Sequence, residues 1–421
     1  MTYTSGQFFA YGLFGLPLAL LALPVYVMVP QLYAAGLGLS LATVGAVLLG
    51  ARVLDAFIDP MLGRWIDRAQ PGRGHAGFVL LSLPLLLAGF VALFHPPAVG
   101  EGALAAWFGA SLMLVYLGYS LATIAHNSWG ASLTQQRGER ARLTATREGC
   151  ALAGVVLAAV LPAYASQSVL TASFAAMLLA AAALLWKVAP RARAAVLQPG
   201  TGASGRPALV DDRWLAPLSG RRFRWLFAVF AVNGIAAAIP ATLFLFFATD
   251  RLQLAQHAPL FLLLYFGAGA LALPLWSRLA QRAGEARAWL AGMALAILAF
   301  GWTVALGPGD LLPFALACLL SGAALGADLA LPPALLAGVI GDAGHAGTRE
   351  GSYFGLWSWM TKMNLALAAG MALPLLQWLG YHPGSADESA LLALTLAYAL
   401  LPCVLKAIAA LLLWRSPLHD V

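Results

Sequence analysis

The chain has 421 residues, 61% hydrophobic and only 10% charged, with a mean hydropathy of +0.82. A soluble domain is nearer half apolar and a quarter charged, so this balance excludes ordinary soluble enzymes and binding modules. The net charge of +7 sits in short loops, where basic residues set topology and meet anionic lipid, so no nucleic-acid partner is expected.

A helix needs about 20 apolar residues to cross about 30 Å of hydrocarbon. Apolar runs of that order lie near 7–33, 39–62, 78–96, 103–133, 148–166 and 168–188, then near 223–249, 258–276, 286–306, 311–340, 351–380 and 389–414. They are continuous, whereas barrel strands would alternate, so they predict an all-α integral membrane protein of twelve transmembrane helices.

The loops alternate in charge. Arg64, Arg68 and Arg73 follow the second run, and Arg137, Arg140, Arg142 and Arg147 follow the fourth. Lys187, Arg191, Arg193, Arg206, Arg213, Arg221, Arg222 and Arg224 surround the middle of the chain; Arg278, Arg282, Arg287, Arg349 and Arg415 come later. Twenty of the 24 basic residues therefore fall on one side, against Arg251 alone in the opposite loops. The positive-inside rule places both termini in the cytoplasm. The scarcity of lysine beside abundant alanine and arginine suggests a GC-rich bacterium and hence an inner-membrane location.

Residues 189–221, rich in Pro, Gly and Ser, read as a cytoplasmic linker between six-helix bundles at 1–188 and 222–421. Two short repeats support duplication. Thr146-Arg147-Glu148-Gly149 opens the fifth run and Thr348-Arg349-Glu350-Gly351 the eleventh, while Arg64 and Arg68-Ala69 match Arg278 and Arg282-Ala283. Two pseudo-symmetric bundles with a site near the midplane between them are a transporter architecture.

Ionisable groups at membrane depth are expensive and usually functional. Arg52, Asp55 and Asp59 lie at spacings of three and four, on one helical face. Two carboxylates one turn apart cannot both ionise easily where the dielectric is low, which suits a proton carrier; the bland alternative is an Arg–Asp pair that locks helix ends. Lys362 lies near mid-depth on the eleventh run, as a countercharge or switch. Lys406 is two turns from its cytoplasmic end and is expected to snorkel. Asp328, before the helix-breaking Pro332-Pro333, is a second proton or substrate site or a structural partner of a neighbouring helix. His126-Asn127 beside Trp129, with Tyr119 and Trp357, supply candidate solute contacts. Arg147-Glu148 and Arg349-Glu350, at positive helix ends, are candidate cytoplasmic gating groups. No Walker loop, GxSxG, HExxH or histidine cluster occurs, so neither ATP-driven nor enzymatic chemistry is expected, and the three cysteines read as packing residues.

From Ala51 the chain reads ARVLDAFIDPMLGRWIDRAQPGRG. Gly63-x-x-x-Asp67-Arg68 resembles the loop signature of the major facilitator superfamily. Arg52-x-x-Asp55-x-x-x-Asp59-Pro60 is similar to the second helix of the glycoside–pentoside–hexuronide:cation symporters, the melibiose permease family. Trp129, Arg147 and GSYFGLWSWMTK ending in Lys362 add to the likeness. The resemblance implies two rocking bundles that move solute and cation together. It makes Asp55 and Asp59 cation-site carboxylates, Lys362 the basic partner, Trp129 and Arg147 solute contacts, and Asp67 and Arg68 part of the gate. Gly15-Leu16-Pro17-Leu18-Ala19 and Ile124-Ala125-His126 lack the acidic residues of sugar-transporting members, so an amphipathic solute such as a lysolipid stands beside a sugar-like one. Ile58 offers no oxygen to a hard cation, which favours a proton over sodium. The expectation is thus a monomeric, cofactor-free secondary active transporter; a sensor that kept the scaffold is the alternative.

Overall fold

The structure, a computed structural model, describes residues 4–134, 136–164, 166–188, 215–381, 384 and 387–419. Most of the linker expected at 189–221 lies outside the described residues. Among those described, no strand occurs and the chain is a succession of helices. They are α1 (5–36), α2 (41–73), α3 (Gly74–Phe94), α4 (Glu101–Leu133), α5 (Arg137–Tyr164) and α6 (Gln167–Val188), followed by α7 (Arg221–Arg251), α8 (Ala258–Ala283), α9 (Glu285–Ala305), α10 (Leu311–Asp342), α11 (Glu350–Trp378) and α12 (Glu388–Arg415).

Among the described residues, nine of these, all but α2, α5 and α11, contain a segment long and apolar enough to cross a membrane. Arg52, Asp55 and Asp59 lie within the apolar stretch of α2, and Lys362 within that of α11. Helix α5 is 28 residues long and α11 is 29, ample for a crossing.

Local chemistry explains the boundaries. Thr4 and Gln7 form a reciprocal capping box at the start of α1, Ser40 accepts from the Thr43 amide before α2, and Asp387 accepts from the Ala390 amide before α12. Gly74, at φ +63°, lets the chain turn from α2 into α3 without the Cβ clash another residue would meet. Proline accompanies loosened turns. Pro24 opens a π-type turn in α1, and another, Leu396–Leu400, ends just before Pro402 in α12. Two helices start or end beyond their apolar runs. The polar end of α2 continues about three turns past residue 62, and α5 begins at Arg137 instead of near 148, because charged residues with good helix propensity extend a helix beyond the bilayer.

The chain divides into two compact units. The first holds Met1–Gln135, Thr146–Pro217 and Ile340–Trp359; the second holds Gln136–Ala145, Leu218–Val339 and Met360–Val421. In the first, Phe90 packs on Phe94 and Phe174, and the Tyr33 ring stacks on Phe108 while its hydroxyl donates to the Leu93 carbonyl at 3.0 Å. In the second, Phe247 stacks on Tyr398 with ring centroids 4.1 Å apart, and Phe261 meets Phe314 edge-on. The hydroxyl of Tyr381 and the Gly384 amide both donate to Asp250, tying the segment after α11 to the end of α7.

Helices approach closely where glycine removes the side chain. A Cβ at Gly154 on α5 would collide with the Leu16 carbonyl of α1, whereas one at Gly50 on α2 meets nothing within 4 Å. Gly154→Ala is therefore expected to cost about 1–3 kcal/mol by overpacking. Gly50→Ala should be neutral or stabilising by up to about 1 kcal/mol. Thermal unfolding of the two purified variants checks the pair; equal midpoints would contradict the close approach.

Candidate functional site

Asp55 and Asp59 face inward from α2. Asp55 is 7% exposed and Asp59 fully buried, while Arg52, one turn earlier, is exposed. The Ser120 hydroxyl of α4 donates to Asp55 Oδ1 at 2.9 Å. The apolar stretch of α2 thus presents two carboxylates to the interior of the first unit, one turn apart as their spacing predicts.

A second cluster joins α1, α4 and α5. The Tyr11 hydroxyl donates to the His126 carbonyl at 2.8 Å, the His126 Nε2 lies 3.0 Å from the Tyr11 carbonyl, and the two rings stack at 4.1 Å. Beside them Arg147 donates to Asn127 Oδ1 and to the Glu148 carboxylate. Trp129 is buried, Tyr119 is half-buried, and His126 is 1% exposed, its ring held by Tyr11 from both edge and face.

The polar end of α2 meets the start of α11, whose first residues belong to the same unit. Asp67 accepts from the backbone amides of Gly351 at 2.6 Å and Ser352 at 2.7 Å, and from the Ser352 hydroxyl. Its carboxylate thereby satisfies donors that every helix N-terminus leaves open, at the positive end of the helix dipole. Glycines permit the contact. A Cβ at Gly63 would fall on the Gly351 carbonyl, and one at Gly355 would lie 2.7 Å from the Asp59 carbonyl oxygen. The same helix therefore carries the buried carboxylates and the cap on α11. Glu350, fully buried, accepts from the Gly347 amide; Arg349 is half-buried and Arg68 exposed. Trp357, further along α11, is buried.

The second unit holds a polar cluster of its own. Asp328 on α10 accepts at Oδ1 from Trp289 Nε1 on α9 at 2.8 Å and from Asn233 Nδ2 on α7 at 3.1 Å. Its Oδ2 accepts from Lys406 Nζ on α12 at 2.7 Å, and the same ammonium donates to Asn233 Oδ1 at 2.9 Å. Lys406 is only 7% exposed. The snorkelling expected for it does not occur, because a carboxylate and an amide on neighbouring helices satisfy the ammonium where it stands. Of Asp328's alternatives, the contact with neighbouring helices is real, and a cavity of about 300 Å³ adjoins it. Near the start of α9, Arg140 and Glu285 make a buried two-point ion pair. Lys362 lies half-buried on the part of α11 that belongs to this unit.

Sequence reasoning missed Asn233, Trp289, Ser120 and Tyr11. A lone amide in an apolar run, as at Asn233, was the available signal; a serine, a tyrosine or a tryptophan in a membrane helix carries none.

Burial pushes Asp67 up to about 6, against the pull of its three donors and of Arg349. It pushes Glu350 up to about 7, with nearby Asp67 adding to the shift. Both values exceed the ordinary carboxylate value near 4, so the packed state binds protons more tightly than an opened one. The contact between α2 and α11 is then strongest below about pH 4 and weakens as pH rises through 6 to 7. Hydrogen exchange at the Gly351 and Ser352 amides, corrected for intrinsic rates, should lose protection across that window, and Asp67→Asn should reduce the dependence to the share that Glu350 contributes. Protection that grows with pH would contradict this.

The chain matches the family model described as MFS/sugar transport protein over residues 8–420. No curated protein matches it. Among solved structures, a bacterial homologue of the iron transporter ferroportin in its outward-facing state aligns with a TM-score of 0.69 at 15% identity, over 97% of this chain and 99% of that one. The E. coli fucose:proton symporter FucP aligns at 0.64 and 17% identity, over 96% and 98%. The proton:xylose symporter XylE, bound to 6-bromo-6-deoxy-D-glucose, aligns at 0.65 and 14%, over 97% and 94%. At such identities the likeness speaks for the fold, which is that of the major facilitator superfamily. The family model spans nearly every residue, and the chain accordingly belongs to the MFS/sugar transport protein family, as a multi-pass membrane protein and a secondary transporter of a small molecule.

Proposed function

We propose that the protein couples the movement of a small organic solute, sugar-like or amphipathic, to a cation, with a proton favoured over sodium. The observation that carries this reading is the burial of Asp55 and Asp59, one turn apart on α2, inside a membrane unit. Ionisable groups at membrane depth are costly to keep unless they serve a pathway, and two buried carboxylates can take up and release a cation. That is the requirement for a carrier that loads a proton on one side and discharges it on the other. Two of the structural neighbours are proton symporters of sugars, which supports the choice of ion. Ile58, beside Asp59, supplies no oxygen for sodium.

In this reading Asp55 and Asp59 bind the cation and Lys362 and Arg52 are the basic groups that answer their charge. Trp129, Arg147, His126, Asn127, Tyr119 and Trp357 contact the solute. Asp67, Arg68, Glu148, Arg349 and Glu350 belong to the cytoplasmic gate. The protein works as a monomer in a bacterial inner membrane, with both termini in the cytoplasm and without a cofactor.

The test is solute-driven proton uptake into sodium-free proteoliposomes that contain a pH-sensitive dye. The probes are D-xylose, methyl β-glucoside and lysophosphatidylcholine. At least one should acidify the lumen with the wild-type protein. Asp55→Asn and Asp59→Asn should each abolish the signal while keeping the wild-type unfolding midpoint. Acidification that persists in both variants, or solute entry that requires sodium, would overturn the assignment.

A further inference from the structure

The cavity in the second unit is walled by α7, α8, α9, α10 and α12. Its walls are apolar and strongly aromatic, with rings from Phe244, Phe261, Tyr265, Phe266, Phe300 and Tyr398. Asp328 and Lys406 also line it, and they are the only acid and base among its described residues. A volume of about 300 Å³ with apolar walls and few convergent polar groups is that of a small-ligand site.

The hydrogen-bond inventory says which ligand. The Asp328 carboxylate accepts from Trp289, Asn233 and Lys406, so its anionic form is well satisfied. The Lys406 ammonium has three N–H donors and spends two, on Asp328 and Asn233. One donor is left to a residue that lines the cavity. The cluster's formal charge is zero, so an ion brought into this apolar space would face no opposite net charge to offset its desolvation. A neutral oxygen acceptor meets no such penalty.

We infer that the second unit contains a binding site for an uncharged amphiphile. Its aromatic or aliphatic body lies among the rings, and a hydroxyl, ether or carbonyl oxygen accepts from Lys406. The site is assigned from residues of the second unit alone and does not depend on the coupling role proposed for Asp55 and Asp59.

Cys403 and Cys318 also line the cavity, while Cys150 belongs to the first unit. These native thiols permit a site-resolved test on the full chain in lipid nanodiscs. N-ethylmaleimide modification at each cysteine is followed by mass spectrometry in the presence of 4-phenyl-1-butanol, 4-phenylbutanoate or 4-phenylbutylammonium, three probes of one skeleton and different charge. The alcohol should slow modification of Cys403 about tenfold at a tenfold excess over its Kd, as simple occupancy requires, with Cys150 unchanged. The two ions should protect far less.

Two single variants should switch the preference. Asp328→Asn leaves the ammonium uncompensated, and the carboxylate probe should then protect best. Lys406→Met leaves the carboxylate uncompensated, and the ammonium probe should protect best. If either single variant fails to fold, the neutral double variant D328N/K406M keeps the question open to decision: it should still prefer the alcohol, but bind it more weakly for want of the Lys406 donor. Equal protection by all three probes, protection of Cys150 to the same degree, or undiminished protection by the alcohol in the double variant would overturn the proposal. So would a Cys403 already shielded before any probe is added, since that marks a closed cavity or one filled by bilayer lipid.

Discussion

The hydrocarbon interior of a bilayer has no water to offer, so each polar group placed there must be satisfied by protein or cost several kcal/mol. Much of this structure is arranged to meet that constraint. The Asp328 carboxylate gathers an indole, an amide and an ammonium from three different helices. The His126 ring and backbone exchange hydrogen bonds with Tyr11. Asp55 receives the Ser120 hydroxyl. In each case the partner lies on another helix, so satisfying the polar group also fixes how helices pack. Removing one partner would strand the other, buried and unsatisfied, at a cost of about 1–3 kcal/mol or more.

Close backbone approach is the complementary device. Without a side chain at Gly63, Gly351 and Gly355, α2 and α11 come near enough for Asp67 to reach the open amides of the α11 terminus. The cap, the glycine seam and the two buried carboxylates all occur along one helix. Asp59 therefore lies on an element whose polar end holds the start of α11. In the transport cycle proposed above, that continuity would link cation binding to the gate.

Much of this was legible in the sequence, for identifiable reasons. Continuous apolar runs specify spans, because hydrocarbon thickness sets their length, and burial of Asp55 and Asp59 follows from their spacing on a helix. The Asp67 signature was legible because its glycine and carboxylate serve one contact. Lys406 misled: depth measured along a helix says nothing of whether a carboxylate waits on the next one. Asn233 and Trp289 became meaningful only when packing set them on Asp328, and the aromatic cavity around that cluster draws on five helices scattered along the chain. Tertiary proximity of this kind leaves no local pattern to read.

The proposed coupling requires α2 to carry a proton that can be exchanged inside the membrane. Infrared difference spectroscopy of the reconstituted protein between acidic and alkaline pH tests this directly, through the C=O stretch of a protonated carboxylic acid. Proton carriage by Asp55 and Asp59 predicts such a band in the wild-type protein, titrating with pH, and its diminution in Asp55→Asn and Asp59→Asn. A spectrum in which those substitutions leave the carboxylic acid band untouched would contradict it.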